Sequence, residues 1–96
     1  MTTVVEGSFE WDSEKADSNV LDHGVTFGQA MVALVDIHSV ETPDLLDSSR
    51  IITIGFEPVS GLLVVVSTEV GDRTRIISAW EAEPADRRAY HEQRRE

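Results

Sequence analysis

The sequence predicts an α+β fold with two N-terminal helices, a central antiparallel sheet of about four strands and one C-terminal helix. Three observations predict it: two helix-start signals in the first third, β-branched runs separated by turns in the middle, and a late proline that opens a helical segment. With 96 residues the chain has room for one core, so residues 1–96 are expected to form one domain. Residues 1–8 are expected to be a loosely ordered N-terminus.

The first helix has clear signals at both ends. Residues 9–11 can form a short strand, and Asp12 is a favourable N-cap for a helix from Ser13 to about His23. Gly24 follows, where a left-handed residue can close the helix without a Cβ penalty.

The second helix begins with a capping box. Thr26 and Gln29 can each accept a hydrogen bond from a free backbone amide, which predicts a helix over residues 27–35. The apolar positions expected to be buried are Phe27, Met31 and Leu34.

The remaining elements are predicted from β-branched runs and turn residues. Strands are expected at residues 37–40, 50–56, 62–68 and 73–80, with a polar loop over 42–49. Pro84 suits a first helical position, so a final helix is expected over residues 85–95.

Composition excludes several classes of site. The chain has no cysteine, and its three histidines lack zinc-ligand spacing, so no metal and no cofactor are expected. No apolar run reaches about 18 residues and no signal-peptide pattern opens the chain, which predicts a cytoplasmic protein without membrane contact.

The charge is strongly acidic but uneven. The net charge is −10; residues 1–49 hold ten acids and one base, Lys15, whereas residues 50–96 hold eight acids and seven arginines. Contact with RNA is therefore expected from the second half, because phosphate binding requires clustered cations. The acidic first half fits a basic partner protein equally well.

Arg73 and Arg75 are candidate phosphate ligands. Residues two apart in a strand share a face, and paired guanidiniums suit phosphate recognition. The open alternative is that they form ion pairs with nearby acids, namely Asp72, Glu69 or Glu57.

The first predicted helix carries a polar face. Four residues fall within an arc of about 100°, namely Lys15, Asn19, Asp22 and His23. His23 could act as a general base toward a ribose 2′-hydroxyl, or it could simply cap the helix C-terminus. Lys15 could contact RNA or pair with Asp12 or Glu14.

The last predicted helix carries a basic stripe, which consists of Arg87, Arg88, His91, Arg94 and Arg95. The stripe can bind RNA or an acidic partner segment, and it can equally be a solvated face. Tyr90 could stack on a base, donate a proton or anchor the helix to the sheet.

Two stretches carry a family resemblance: Phe9-Glu10-Trp11-Asp12 with Lys15, Asn19 and His23-Gly24-Val25, and the later segment Arg73-Thr74-Arg75-Ile76-Ile77-Ser78-Ala79. In this order and spacing they resemble the BrnT-type ribonuclease toxins of type II toxin–antitoxin systems. The resemblance implies a RelE-like fold, metal-independent RNA cleavage that inhibits translation and growth, and neutralisation by an antitoxin with a ribbon-helix-helix DNA-binding domain.

The resemblance also suggests roles for individual residues. It implies Lys15, His23, Arg75 and Tyr90 as catalytic candidates, beside Arg73, Arg87 and Arg88 as RNA-binding candidates. The toxin–antitoxin complex would read the operator, so this chain itself is not expected to bind DNA sequence-specifically. Assembly as a homodimer or a hetero-oligomer is part of the same expectation.

Several positions depart from the family pattern toward less positive charge, namely Asp22, Trp80, Glu81 and Glu83. An aromatic side chain in place of a charge can anchor a protein interface, which makes Trp80 a partner-binding candidate. The alternative function is therefore a catalytically inactive BrnT-like module that binds a protein.

Overall fold

The computed structural model describes residues 2–94, and this part of the chain contains six strands and three helices. In chain order they are β1 (Thr3–Glu6), β2 (Phe9–Asp12), α1 (Ser13–His23), α2 (Phe27–Leu34), β3 (Val40–Pro43), β4 (Arg50–Glu57), β5 (Gly61–Val70), β6 (Arg73–Glu81) and α3 (Pro84–Arg94). The predicted α+β class and the order of the helices are confirmed. Residue 95 of the predicted last helix lies outside the described residues.

The strands form one sheet in the order β1-β2-β6-β5-β4-β3. All neighbouring pairs are antiparallel except β2 and β6, which run parallel and pair Phe9 with Thr74 and Glu10 with Arg75. The prediction of about four antiparallel strands was therefore wrong, since the sheet has six strands and one parallel pair. The parallel pair joins the beginning of the chain to its last strand.

The N-terminal segment was expected to be loosely ordered, but Thr3–Glu6 pair along their whole length with Phe9–Asp12. Gly7 makes the connecting turn with a φ of 61°, a value that suits glycine because it has no Cβ. This hairpin supplies the first edge strand of the sheet.

The third strand lies later than predicted, at Val40–Pro43 instead of residues 37–40. The carboxylate of Asp36 accepts a hydrogen bond from the amide of His38, and this local turn uses the backbone that a strand would need. Pro43 is compatible with the ladder because β3 is the other edge of the sheet.

The predicted helix caps are confirmed. The Asp12 carboxylate accepts from the Lys15 amide at 3.3 Å, and Gly24 closes α1 with a φ of 68°. Thr26 and Gln29 exchange both hydrogen bonds of a capping box, at 3.0 and 2.9 Å. These local signals place both helices before any packing is considered.

Two apolar clusters lie on opposite faces of the sheet. Alternate residues of β5 point to opposite faces; Leu63 and Val65 pack under α1 and α2, whereas Leu62 and Val64 pack near Tyr90 of α3. None of the helices in residues 2–94 has the length and apolar character needed to cross a membrane.

Helix α2 lies unusually close to β4. Its most buried residues are Phe27, Ala30 and Ala33, and the predicted Met31 and Leu34 are only partly buried. Ala30 and Ala33 are buried because α2 approaches β4 closely at Gly55, where a Cβ atom would lie 2.0 Å from the carbonyl oxygen of Ala33. Small residues on both elements therefore allow the helix and the strand to approach each other.

This close approach predicts that Gly55→Ala destabilises the protein by about 3 kcal/mol, because the added methyl group must displace helix backbone. Chemical denaturation followed by circular dichroism measures the change. The matched control is Gly28→Ala on the same helix, where the new Cβ has only an ordinary contact of 3.7 Å and better helix propensity should add about 0.5–1 kcal/mol. Equal stability of the two variants would contradict the packing explanation.

Candidate functional site

Three neighbouring strands place a row of polar side chains on one face of the sheet. Arg50 of β4 pairs with Thr68 of β5, and Thr68 pairs with Arg75 of β6. Directly paired residues share a face, and α1 adds Lys15 at the end of the row. Together these residues line a cleft of about 290 Å³, called here the cationic cleft, whose charged residues are Asp12, Lys15, Asp47, Arg50 and Arg75.

The two candidate arginines of β6 share one acceptor. Arg75 Nη1 donates to Glu10 Oε2 at 2.5 Å, and Arg73 Nη1 lies 3.9 Å from Glu10 Oε1. The prediction that both arginines share a face is confirmed. Their acceptor is Glu10 and not one of the nearby acids considered from the sequence. The parallel pairing of β2 and β6 places Glu10 beside Arg75, although the two residues are 65 positions apart in the chain.

Arg50 is a member of the cleft that the sequence analysis did not single out. Its Nε lies 3.4 Å from Asp47 Oδ2, and the neighbouring Thr68 hydroxyl donates to the Ser49 carbonyl at 2.7 Å. The signal that could have found it is the turn at residues 58–60, because closing that hairpin fixes Arg50 opposite Thr68.

A bulge interrupts β6 beside the cleft. Val66 pairs with Ser78 and Ser67 pairs with Ile76, which leaves Ile77 as an extra residue. Bulges re-aim side chains and are frequent next to functional sites. Ile77 lines both the cationic cleft and a second cleft beside it.

Asn19 joins α1 to β6 beyond this bulge. Its amide nitrogen donates to the carbonyls of Val25 and Ala79 at 2.9 and 2.8 Å, and its oxygen accepts from the Ala79 amide at 3.1 Å and the Ser78 hydroxyl at 3.3 Å. The residue is 5% exposed. Asn19 therefore holds α1 against the sheet through these hydrogen bonds.

The polar face of α1 forms a second cleft of about 260 Å³. The structure brings together the four residues predicted to share an arc, namely Lys15, Asn19, Asp22 and His23. This cleft adjoins the cationic cleft, since Lys15 and Ile77 line both.

His23 and Trp80 are in contact at the end of this second cleft. Their ring centroids are 6.0 Å apart with an interplanar angle of 46°. Trp80 is partly buried and packs against the apolar cluster on the α3 side, whereas His23 is exposed. His23, predicted for catalysis, and Trp80, predicted for partner binding, are therefore neighbours.

Tyr90 lies apart from Lys15 and Arg75. Its buried ring packs near Leu62 and Val64, which precede Thr68 of the cationic cleft by four to six residues along β5, roughly 13–20 Å. Its hydroxyl donates to Asp36 Oδ2 at 2.7 Å. This contact anchors α3, one of the roles left open by the sequence.

The basic residues of α3 lie with Tyr90 and not with the cationic cleft. Arg87 and His91 line a separate cleft of about 410 Å³ with Asp36 and Tyr90, and Arg88 is exposed on the same helix. Of the seven candidates for catalysis and RNA binding, Lys15 and Arg75 line the cationic cleft and His23 lines the adjoining second cleft. Arg73 lies beside Arg75 through their shared acceptor Glu10. The side chains of residues 94 and 95 lie outside the described part of the chain.

The Asp36 carboxylate is held in its charged form. Burial raises its pKa, but hydrogen bonds from the Tyr90 hydroxyl and from the amides of His38 and Phe56 outweigh burial, and the pKa lies below its ordinary value of 3.8. The ionised Asp36 therefore stabilises the folded protein at pH values above 3.8, and this contribution is lost as the pH falls through the lowered pKa.

Comparison with known proteins gives a family-model match, matches to solved structures and one negative result. A family model described as the ribonuclease toxin BrnT of type II toxin–antitoxin systems matches residues 11–94. The fold is similar to the crystal structure of the ribonuclease toxin BrnT of Brucella abortus, with a TM-score of 0.61 and 25% identity, over 76% of this chain and 92% of that chain. A search of curated proteins finds no match.

The Asn19 contacts predict that Asn19→Ala lowers the free energy of unfolding by about 3 kcal/mol, because buried groups of Ala79 and Val25 lose their partners. Asn19→Asp keeps the acceptor oxygens and loses both N–H donors, so it should be similarly destabilising at pH 7. Urea denaturation of the three proteins measures this. Wild-type stability of the aspartate variant would show that the two donated hydrogen bonds contribute nothing.

The Asp36–Tyr90 contact predicts a pH-dependent effect of Tyr90→Phe. At pH 7 the loss of a hydrogen bond to a carboxylate should cost about 1.5–2 kcal/mol. The difference from wild type should shrink as the pH falls below the lowered pKa of Asp36, because the protonated carboxyl is a weaker acceptor. Denaturation curves measured from pH 7 down through the lowered pKa of Asp36 test this, and a difference independent of pH would show that the Tyr90 hydroxyl contributes independently of the charge on Asp36.

Proposed function

Because this chain belongs to the BrnT family of ribonuclease toxins of type II toxin–antitoxin systems, we propose that it cleaves RNA without a metal ion and that the cationic cleft binds the scissile phosphate. The observation that carries the proposal is the strand register that brings Arg50 and Arg75 to one cleft beside Lys15. A RelE-like fold is part of the same proposal.

The local charge of the cleft supports phosphate binding in an otherwise acidic protein. The net charge of the chain is −10, yet three cations and two carboxylates line the cleft. Lys15 forms no ion pair within the described residues, so its ammonium is available to a ligand. A phosphate would therefore be attracted to this cleft more strongly than to the parts of the surface that carry only carboxylates.

Arg75 is suited to stabilise the transition state. In RNA cleavage by the adjacent 2′-hydroxyl, negative charge develops on the nonbridging phosphate oxygens, and a fixed cation at those oxygens lowers the barrier. Among its contacts with described residues, only Nη1 of Arg75 donates a hydrogen bond, and its side chain remains 33% exposed. The other guanidinium donors can therefore face a phosphate.

His23 is the candidate general base. The second cleft shares Lys15 and Ile77 with the cationic cleft, so an RNA strand that passes from one to the other would bring a ribose toward the imidazole. An imidazole nitrogen can accept the 2′-hydroxyl proton as a general base.

The second half of the proposal concerns the partner. A type II system pairs its toxin with an antitoxin protein, and we assign to this antitoxin a ribbon-helix-helix DNA-binding domain. Trp80 offers it a partly buried aromatic anchor beside His23, so that binding there would also cover the second cleft. RNA cleavage in the cytoplasm would inhibit translation and growth until the antitoxin binds.

The proposal predicts that Arg75→Ala lowers RNA cleavage by about 100-fold or more, because one transition-state cation is lost. Arg75→Lys should give an intermediate rate, because the charge stays and the planar fork is lost. The measurement is cleavage of a single-stranded RNA by purified protein, together with growth and bulk RNA integrity after induced expression in a bacterial host. Glu92→Gln, at an exposed position of α3, is the surface control.

Cleavage that persists in Arg75→Ala would remove the cationic cleft from the mechanism. A folded wild-type protein that leaves RNA and growth intact would overturn the ribonuclease proposal and favour the inactive protein-binding module.

A further inference from the structure

We infer that Glu10 is a positioning residue: it fixes the Arg75 guanidinium in the cationic cleft and, by partly neutralising it, lowers the affinity of the cleft for RNA. The inference rests on the proposed function of the cleft, and Glu10 is not among the seven candidates for catalysis and RNA binding.

The backbone pairing of β2 with β6 fixes the position of Glu10 relative to Arg75. Glu10 lies directly opposite Arg75 in the parallel pair of β2 and β6, and its side chain is 8% exposed. Exposed ion pairs fluctuate and contribute little. A carboxylate buried in a strand cannot turn away into solvent, so its contact with Arg75 Nη1 restricts the guanidinium to one orientation.

The same carboxylate also reduces positive charge at the cleft. Arg73 and Arg75 supply two positive charges on one face, and Glu10 lies against both of them. A phosphate that binds Arg75 must therefore share the guanidinium with a fixed anion. Ground-state binding becomes weaker, while the donors that face the cleft stay in place.

These two effects act in opposite directions on binding and on turnover. Without the carboxylate, the cleft is more positive and binds RNA more tightly. Without the fixed orientation, Arg75 no longer lies where charge develops, and a misplacement of about 1 Å can cost roughly 100-fold in rate. A general loss of structure would weaken both quantities together.

Glu10→Gln tests both effects because it preserves the shape of the side chain. With a single-stranded RNA substrate, we expect KM to fall by about three- to tenfold, kcat to fall by about 100-fold, and the salt dependence of binding to become steeper by about 0.7 per added phosphate contact. Thermal denaturation of the same sample shows whether the variant is folded.

Glu10→Asp is the matched control. It keeps the negative charge and withdraws it by one methylene, so kcat should fall while KM and the salt dependence stay near wild type. An unchanged kcat in either variant overturns the positioning role, and an unchanged or raised KM in folded Glu10→Gln overturns the effect on affinity. If Glu10→Gln does not fold, the kcat of Glu10→Asp still decides the positioning role.

A second readout does not depend on RNA cleavage. In nitrogen-15 NMR spectra, assigned with Arg75→Lys, the wild-type Arg75 guanidinium should show restricted rotation, whereas Glu10→Gln should show averaged signals and tighter binding of inorganic phosphate. Averaged wild-type signals overturn the inference even if RNA is cleaved. Restricted signals in a protein that does not cleave RNA keep the contact and overturn only the proposed function.

Discussion

The position of α1, and with it both clefts, depends on one buried carboxamide. Strand β2 ends at Asp12, so the outer edge of β6 continues without a neighbouring strand, and the Ala79 amide and carbonyl would have no partner there. Asn19 supplies a donor and an acceptor to that residue, as a strand would. Buried backbone groups must be paired, and only a carboxamide offers both functions in one side chain of this length. Lys15 and His23 line the clefts because the helix between them is fixed in this way.

An acidic protein thus obtains a cationic cleft through strand register and not through composition. Each arginine of the cleft has a carboxylate partner, Glu10 for Arg75 and Asp47 for Arg50. These pairs limit the local field and fix the direction of the guanidiniums. The arrangement favours binding of a ligand that places its charge accurately over binding of any polyanion, as the proposed cleavage of one phosphodiester at a time would require.

The sequence could predict the structural features that depend on interactions between residues close together in the chain. The caps of α1 and α2 are correct because an N-cap, a capping box and a terminal glycine act locally. The sequence predicts the burial of Phe27 correctly, but it could not predict that Ala30 and Ala33 are buried more deeply than Met31 and Leu34, because that depends on the space above Gly55 in a distant strand. The same limit applies to the site: the shared face of Arg73 and Arg75 follows from strand periodicity, but their acceptor Glu10 follows from the pairing of two strands far apart in the chain. The place of Arg50 follows from the hairpin register that the turn at residues 58–60 sets. Tyr90 was grouped with the other candidates by family pattern, and only the packing of α3 shows that it lies elsewhere.

The parallel pair of β2 and β6 has a consequence for the order of events during synthesis. Glu10 and Arg75 are 65 positions apart, and closing a loop of that size is slow compared with forming a helix or a hairpin. The N-terminal hairpin and α1 can form early. The hydrogen bonds of Asn19 to Ala79 and of Arg75 to Glu10 can form only after β6 has been synthesised. A growing chain therefore holds an incomplete cleft until its last quarter has been translated, and the protein acquires its full charge arrangement only near the end of its own synthesis.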